Sequence, residues 1–204
     1  MFRAWFQCGL VLAFVLTTAA VFAQRRITTI SVEAGNAITA LPFVGAPQLF
    51  YSTYHPFVTV GGRMIWKQKR KHAWEQTFNV GYIYHRFVQH SIPLFTETIY
   101  RHNMGRRIDL RVHLGLGYSQ SIPDTERFEL NQLGQYERVR SIGRAQGMAK
   151  LSFSGTCWIT PDLSMSLNYG VLLQGPFVES YVPALPYNTI QLGVQKVIAK
   201  KRRG

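Results

Sequence analysis

Ile108-Asp109-Leu110-Arg111-Val112-His113-Leu114-Gly115-Leu116-Gly117-Tyr118 sets the reading frame for the whole chain. Every even position is apolar or aromatic, and every odd one is charged, polar or glycine. Successive side chains of a β-strand point to opposite faces, so this stretch has one apolar and one polar side. A helix, with its 3.6-residue period, would mix the two sets. Leu163 to Gln174 repeats the pattern, with Leu163, Met165, Leu167, Tyr169, Val171 and Leu173 opposed to Ser164, Ser166, Asn168, Gly170 and Gln174.

The same reading outward from these two predicts eight strands, over 26–35, 56–67, 73–88, 92–102, 106–119, 147–160, 163–175 and 187–199. The stretch 41–54 fits neither period cleanly. Tight connections (Gln68 to Lys71, Asn103 to Gly105, Thr160 to Asp162) alternate with long ones at 36–55, 120–146 and 176–186. Only the link at 89–91 is short where a long one is due. Short turns at one rim and longer loops at the other are the rhythm of a membrane barrel, and an even strand number returns both termini to the short-turn rim. The expected fold is all-β, an eight-stranded antiparallel up-and-down transmembrane β-barrel.

The ends and the composition set the compartment. Arg3, the apolar run from Cys8 to Phe22 and Val21-Phe22-Ala23 read as a signal peptide over 1–23, with 24–204 as one barrel domain. Removal of the leader leaves Cys157 alone, so no internal disulfide is expected. A net charge of +13 suggests nucleic acid only in a cytosolic protein, so an exported chain with ten acidic residues and 13% aromatics is expected to meet anionic lipid instead. Arg25, Arg26, Lys67, Lys69, Arg70, Lys71, Arg106, Arg107 and Lys200 to Arg203 all fall at the expected periplasmic rim.

Alternation leaves open which face is outside, but the kind of polar residue decides it. Thr59, Gly61, Thr77, Asn79, Gly81, Gly115, Gly117, Ser152, Ser154, Ser164, Ser166, Asn168 and Gly170 are small or uncharged. They suit the interior of an eight-stranded barrel, which has room only for side chains. Glu33, Arg63, Glu75, Glu97, Arg101, Asp109, Arg111, His113 and Lys150 share that face and are expected to form an interior polar network, since an unpaired charge there is costly. Trp66, Trp74, Tyr84, Tyr100, Tyr118, Tyr169 and Tyr187 lie near strand ends, where aromatic girdles form.

Alternation, loop rhythm and the closing strand Thr189-Ile190-Gln191-Leu192-Gly193-Val194 resemble the small outer-membrane β-barrels of the OmpA type and similar barrels of unassigned role in Gram-negative envelopes. The resemblance implies an outer-membrane location and contact with lipids, lipopolysaccharide and the assembly machinery. It implies an envelope-structural role, or adhesion or recognition through an extracellular ligand at 36–55, 120–146 or 176–186. Such barrels usually end on an aromatic residue, whereas this sequence ends Lys200-Lys201-Arg202-Arg203-Gly204.

Chemistry is sparse. His85 and His90 fall on opposite faces, and His102 and His113 on other strands, so no metal or other cofactor is implied. His90-Ser91 with Glu97 is the nearest approach to the constellation of a lipopolysaccharide-modifying barrel enzyme, an acyl hydrolase or acyltransferase. Adjacent strand residues point apart, so the pair lacks the contact a nucleophile and its base need, and a non-enzymatic role is expected. A soluble exported barrel holding a small apolar ligand is the remaining alternative.

Overall fold

The computed structural model describes residues 27–86, 89–124, 127–130, 136–139, 143–176 and 184–198. Ten strands follow in order: β1 (Thr29–Thr39), β2 (Pro56–Gln68), β3 (His72–His85), β4 (Gln89–Asn103), β5 (Ile108–Pro123), β6 (Arg127–Leu130), β7 (Tyr136–Val139), β8 (Arg144–Trp158), β9 (Leu163–Gly175) and β10 (Leu185–Val197). Eight of them close a barrel, each antiparallel to its chain neighbour, with β1 sealing against β10 from Thr29↔Val197 to Thr39↔Tyr187. Strands β6 and β7 form a separate hairpin within the connection from β5 to β8, where a loop is expected from the sequence.

Both ends of the barrel, at Thr29 and Val197, sit on the rim of the short turns. Several strands run further than alternation indicated. β1 continues to Thr39, β5 reaches Pro123, β8 begins at Arg144 and β10 at Leu185, which shortens each long connection, and β4 begins at Gln89 in the link that was already short. Backbone pairing needs no side-chain pattern, so ladders such as Ser121↔Arg144 persist where the sequence signal fades. Within 41–54 the chain makes one 3-10 turn, Ala46–Phe50, with Pro47 pre-set for its first turn. The expected leader (1–23) and the basic tail from Lys200 lie outside the described residues.

Face assignment follows the parity seen in β5. Asp109, Arg111, His113 and Gly115 are buried, while Leu110, Val112, Leu114 and Leu116 are exposed. Val32, Val60, Val80, Leu94, Leu151, Leu167 and Leu192 continue that apolar surface around the barrel. Such a belt needs lipid, since a barrel in water would present polar side chains outward. One strand breaks parity. In β2 the register shifts between Ile65, opposite Glu75, and Lys67, opposite Trp74, leaving Trp66 as the extra residue of a β-bulge.

Candidate functional site: the filled lumen and its long-loop rim

Seen from the short-turn rim, the lumen begins as a mouth of about 510 Å³ lined by Gln68, Arg101, Arg106, Arg107, Asp109 and Trp158 among others. A charged layer lies in and above it. Arg63 Nε is 3.4 Å from Glu75 Oε2, and Arg101 Nη1 is 3.1 Å from Glu75 Oε1. Arg111 lies 3.5 Å from Asp109 and, with Arg63, donates to Gln195 Oε1, at 2.8 and 2.9 Å. The Trp158 indole N–H donates to Asp109 at 2.7 Å. All five ionic side chains are buried.

The next layer centres on Glu97. Lys150 Nζ lies 3.0 Å from its Oε1 and His113 Nδ1 3.5 Å from its Oε2, while Asn79 and Thr77 donate to the same carboxylate. Gly115 makes the space: a Cβ there would stand 3.0 Å from Glu97 Cγ and 3.4 Å from Lys150 Cβ. Glu33 is only half-buried and stands apart from both clusters, accepting from Asn168 Nδ2 at 3.3 Å. Of the nine residues expected to form one network, eight thus fall into two adjacent groups and Glu33 makes a separate contact.

Higher up, the polar interior is interrupted by an apolar layer. Ala37, Phe57, Ile83, Phe95, Met148, Leu172 and Tyr187 pack into an apolar layer across the lumen. The junction with the Glu97 layer is direct, since Lys150 Nζ sits 5.2 Å from the centre of the Phe95 ring. Tyr187 therefore belongs to the core and not to a girdle. It shares parity with Thr189 and Gln191, which face inward, and its hydroxyl accepts from Gln89 at 3.2 Å. Of the other girdle candidates, Trp66, Trp74 and Tyr118 are exposed and Tyr84, Tyr100 and Tyr169 half-buried, which suits interfacial aromatics.

Around and above the apolar layer, Ser91, Ser119, Ser121, Gln146 and Gln174 are linked by hydrogen bonds, with Ser91 Oγ 2.6 Å from Ser119 Oγ and Gln174 Nε2 donating to both. At the long-loop rim His55 turns inward and stacks on His85, with ring centroids 3.9 Å apart. Burial holds the His55 imidazole below its ordinary pKa.

The residues considered for lipid chemistry are not assembled. Ser91 faces the lumen, while His90 lies on the outer surface and Glu97 sits well down the lumen with Lys150. His90 instead bridges Tyr82 and Asp124, with Nδ1 2.6 Å from the phenol oxygen and Nε2 3.1 Å from Asp124 Oδ1. Sequence alone offered no route to that trio, because Asp124 reaches His90 only through the pairing of β5 with β4. Lys67, Lys69, Arg70, Lys71, Arg106 and Arg107 are all exposed at the short-turn rim, and Arg25, Arg26 and Lys200 to Arg203 lie outside the described residues.

No family model matches the chain, and no curated protein is detectably similar to it. Solved structures are similar. The crystal structure of Neisserial surface protein A aligns with 9% identity and a TM-score of 0.58, covering 85% of this chain and 99% of that one. The outer-membrane enzyme PagL aligns at 12% identity and TM-score 0.48, covering 83% and 99%. The N-terminal barrel domain of Pseudomonas aeruginosa OprF aligns at 15% and 0.38, covering 86% and 100%. The closed sheet and the likeness to Neisserial surface protein A define the fold, a small eight-stranded antiparallel β-barrel, and its apolar exterior makes it a barrel with a lipid-facing belt.

Proposed function

We propose that this chain is an outer-membrane barrel whose role is envelope-structural or adhesive, exercised at its long-loop rim. The observation that carries this reading is the lumen, filled by two ionic layers, an apolar layer and a Ser/Gln layer, with His55 and His85 at its end. A filled eight-stranded barrel leaves no aqueous path and no room for an apolar ligand. What remains free to vary is the set of connections, where function on such scaffolds is placed. An extracellular ligand would meet the connection holding β6 and β7, or 176–184. Lipids, lipopolysaccharide and the assembly machinery are the general partners of this location.

Two measurements test it. Trypsin added to intact cells is expected to cut within 120–146 and spare Lys69-Arg70-Lys71, the richer target, because exposed loops are cut first. Cutting first at 69–71 with the outer membrane intact would invert the orientation. Purified protein in planar bilayers is expected to show no stable conductance, and steady channels would overturn the filled-lumen reading.

A lipid-modifying enzyme is the second reading, favoured by one observation: His90 held between Asp124 and the Tyr82 phenol on the outer surface near the long-loop rim. An oriented imidazole is half of a nucleophile–base pair. If this reading holds, the lipopolysaccharide acyl profile differs between cells carrying the native chain and His90→Gln. Identical profiles remove it.

A further inference from the structure

We infer that residues 40–54 form a flap that lies in the outer leaflet against lipid acyl chains, and not a loop displayed in water. The inference rests on the proposed orientation, in which the long-loop rim faces outward.

The sequence of this region is unusual in what it lacks. From Ala34 to Gly62 there is no Asp, Glu, Lys or Arg. A loop that projects into water normally carries some, and the connection 120–146 carries Asp124, Arg127, Glu129, Arg138 and Arg140.

The flap folds down the outside of the barrel. Asn36 and Ile38 of β1, Asn188 of β10 and Val171 of β9 have outward parity, so they should be as exposed as Val32 or Leu192. All four are buried. The flap lies over the two asparagines: Asn36 Nδ2 donates to the Leu49 carbonyl at 3.0 Å, and Asn188 Nδ2 to those of Ala40 and Leu41, at 3.2 and 3.0 Å. Phe43, in the left-handed region at φ 61°, donates its backbone N–H to Asn188 Oδ1 at 3.2 Å and lies beside Tyr169 of the outer surface, ring centroids 6.3 Å apart.

Having covered that part of the wall, the flap exposes a new apolar face. Leu41 is 70% exposed, Val44 80%, Phe50 78% and Tyr51 74%, where the lipid belt itself runs near half. Large apolar side chains exposed together on one short segment mark an interaction surface. Its position next to the belt makes acyl chains the occupant.

Irregular backbone is tolerated at membrane depth only where its polar groups are satisfied within the protein. The central turns of the flap are paired within the protein. Val44, Gly45, Ala46 and Gln48 donate to the carbonyls of Pro42, Leu41, Phe43 and Gly45, and the Ser52 amide and hydroxyl both donate to Gln48. The Tyr54 hydroxyl donates to the Gly35 carbonyl at 2.9 Å.

The test is nitroxide accessibility in proteoliposomes. Labels are placed singly at Val44→Cys, Phe50→Cys, Val60→Cys and Tyr136→Cys, with Cys8 and Cys157 replaced by serine. Val60 reports the lipid belt and Tyr136 the exposed β6–β7 hairpin. Labels at 44 and 50 are expected to collide with oxygen several-fold more than with a water-soluble nickel chelate, as at 60, and opposite to 136. Nickel access at 44 and 50 equal to that at 136 would overturn the inference, and would leave these residues to a protein partner. Low access to both reagents with dipolar coupling between labels would also overturn it, in favour of a second copy. A wet label at Val60 would instead mean that the barrel reading itself has failed.

Discussion

The two halves of the lumen solve the same packing problem with different chemistry. Toward the short-turn rim the strands converge on ion pairs: Glu75 between Arg63 and Arg101, Arg111 beside Asp109, and Glu97 between Lys150 and His113. Toward the long-loop rim Phe57, Ile83, Phe95, Leu172 and Tyr187 fill the same cross-section with hydrocarbon and aromatic surface. Apolar contact is non-directional, whereas an ion pair tolerates little displacement. The lower half therefore depends on each partner being present, and the upper half on volume being filled.

The sharpest way to break this comparison is to remove one shared anion. Glu75→Ala leaves Arg63 and Arg101 facing each other in a buried space and is expected to cost about 3–5 kcal/mol. Urea titration of the barrel in detergent micelles, followed by unheated gel migration, measures it. A loss under about 1 kcal/mol would mean that water serves those arginines as well as the carboxylate does.

Leu172→Ala probes the upper half, where a side chain with no exposure would leave a cavity. The expected loss is about 2–4 kcal/mol in the same titration. It should be insensitive to added salt, whereas the deficit of Glu75→Ala need not be. Ser91→Ala removes a hydroxyl bonded to Ser119, Ser121 and Gln174, whose remaining bonds partly satisfy them. It is expected to cost about 0.5–1.5 kcal/mol.

The smallest effect is one of pH at the rim. His55 is held below its ordinary pKa by burial, so the unfolded chain takes up its proton at a higher pH than the folded one. Stability from this group is full above the unfolded value near 6.5 and falls as pH drops below it. His55→Gln is expected to flatten the stability profile between pH 7 and 5. A slope unchanged by the substitution would place the titration elsewhere.

How much of this was legible in the sequence differs strand by strand. β5 and β9 were readable because lipid and lumen impose opposite demands on alternate residues, and on β5 that parity turns Asp109, Arg111 and His113 inward. β4 was harder, because Pro93, Phe95 and Ile99 point inward while Thr96 and Thr98 point outward, where they bond to Gln76. Alternation reports unlike faces, and on β4 the faces are not unlike. The inward parity of Tyr187 with Gln191 was visible, but a strand-end aromatic also suits a girdle. The missing charges from 34 to 62 were visible as well, yet composition alone does not say against which wall a loop folds. That required Asn36 and Asn188, polar residues on the lipid side that have meaning only once something covers them.

The bulge at Trp66 has a consequence for charge balance. Among the described residues, the buried and half-buried lumen side chains include four cations, Arg63, Arg101, Arg111 and Lys150, and four anions, Glu33, Glu75, Glu97 and Asp109, while Arg106 and Arg107 stay exposed at the mouth and the chain as a whole carries +13. Counted without interruption from Phe57, the inward series on β2 would run through Arg63 and Ile65 to Lys67. The extra residue reverses the frame, and Lys67 emerges exposed opposite Trp74 on the outer surface. A single inserted position thus acts as a sorting step: it assigns one more cation to the rim and keeps it away from the buried ion pairs.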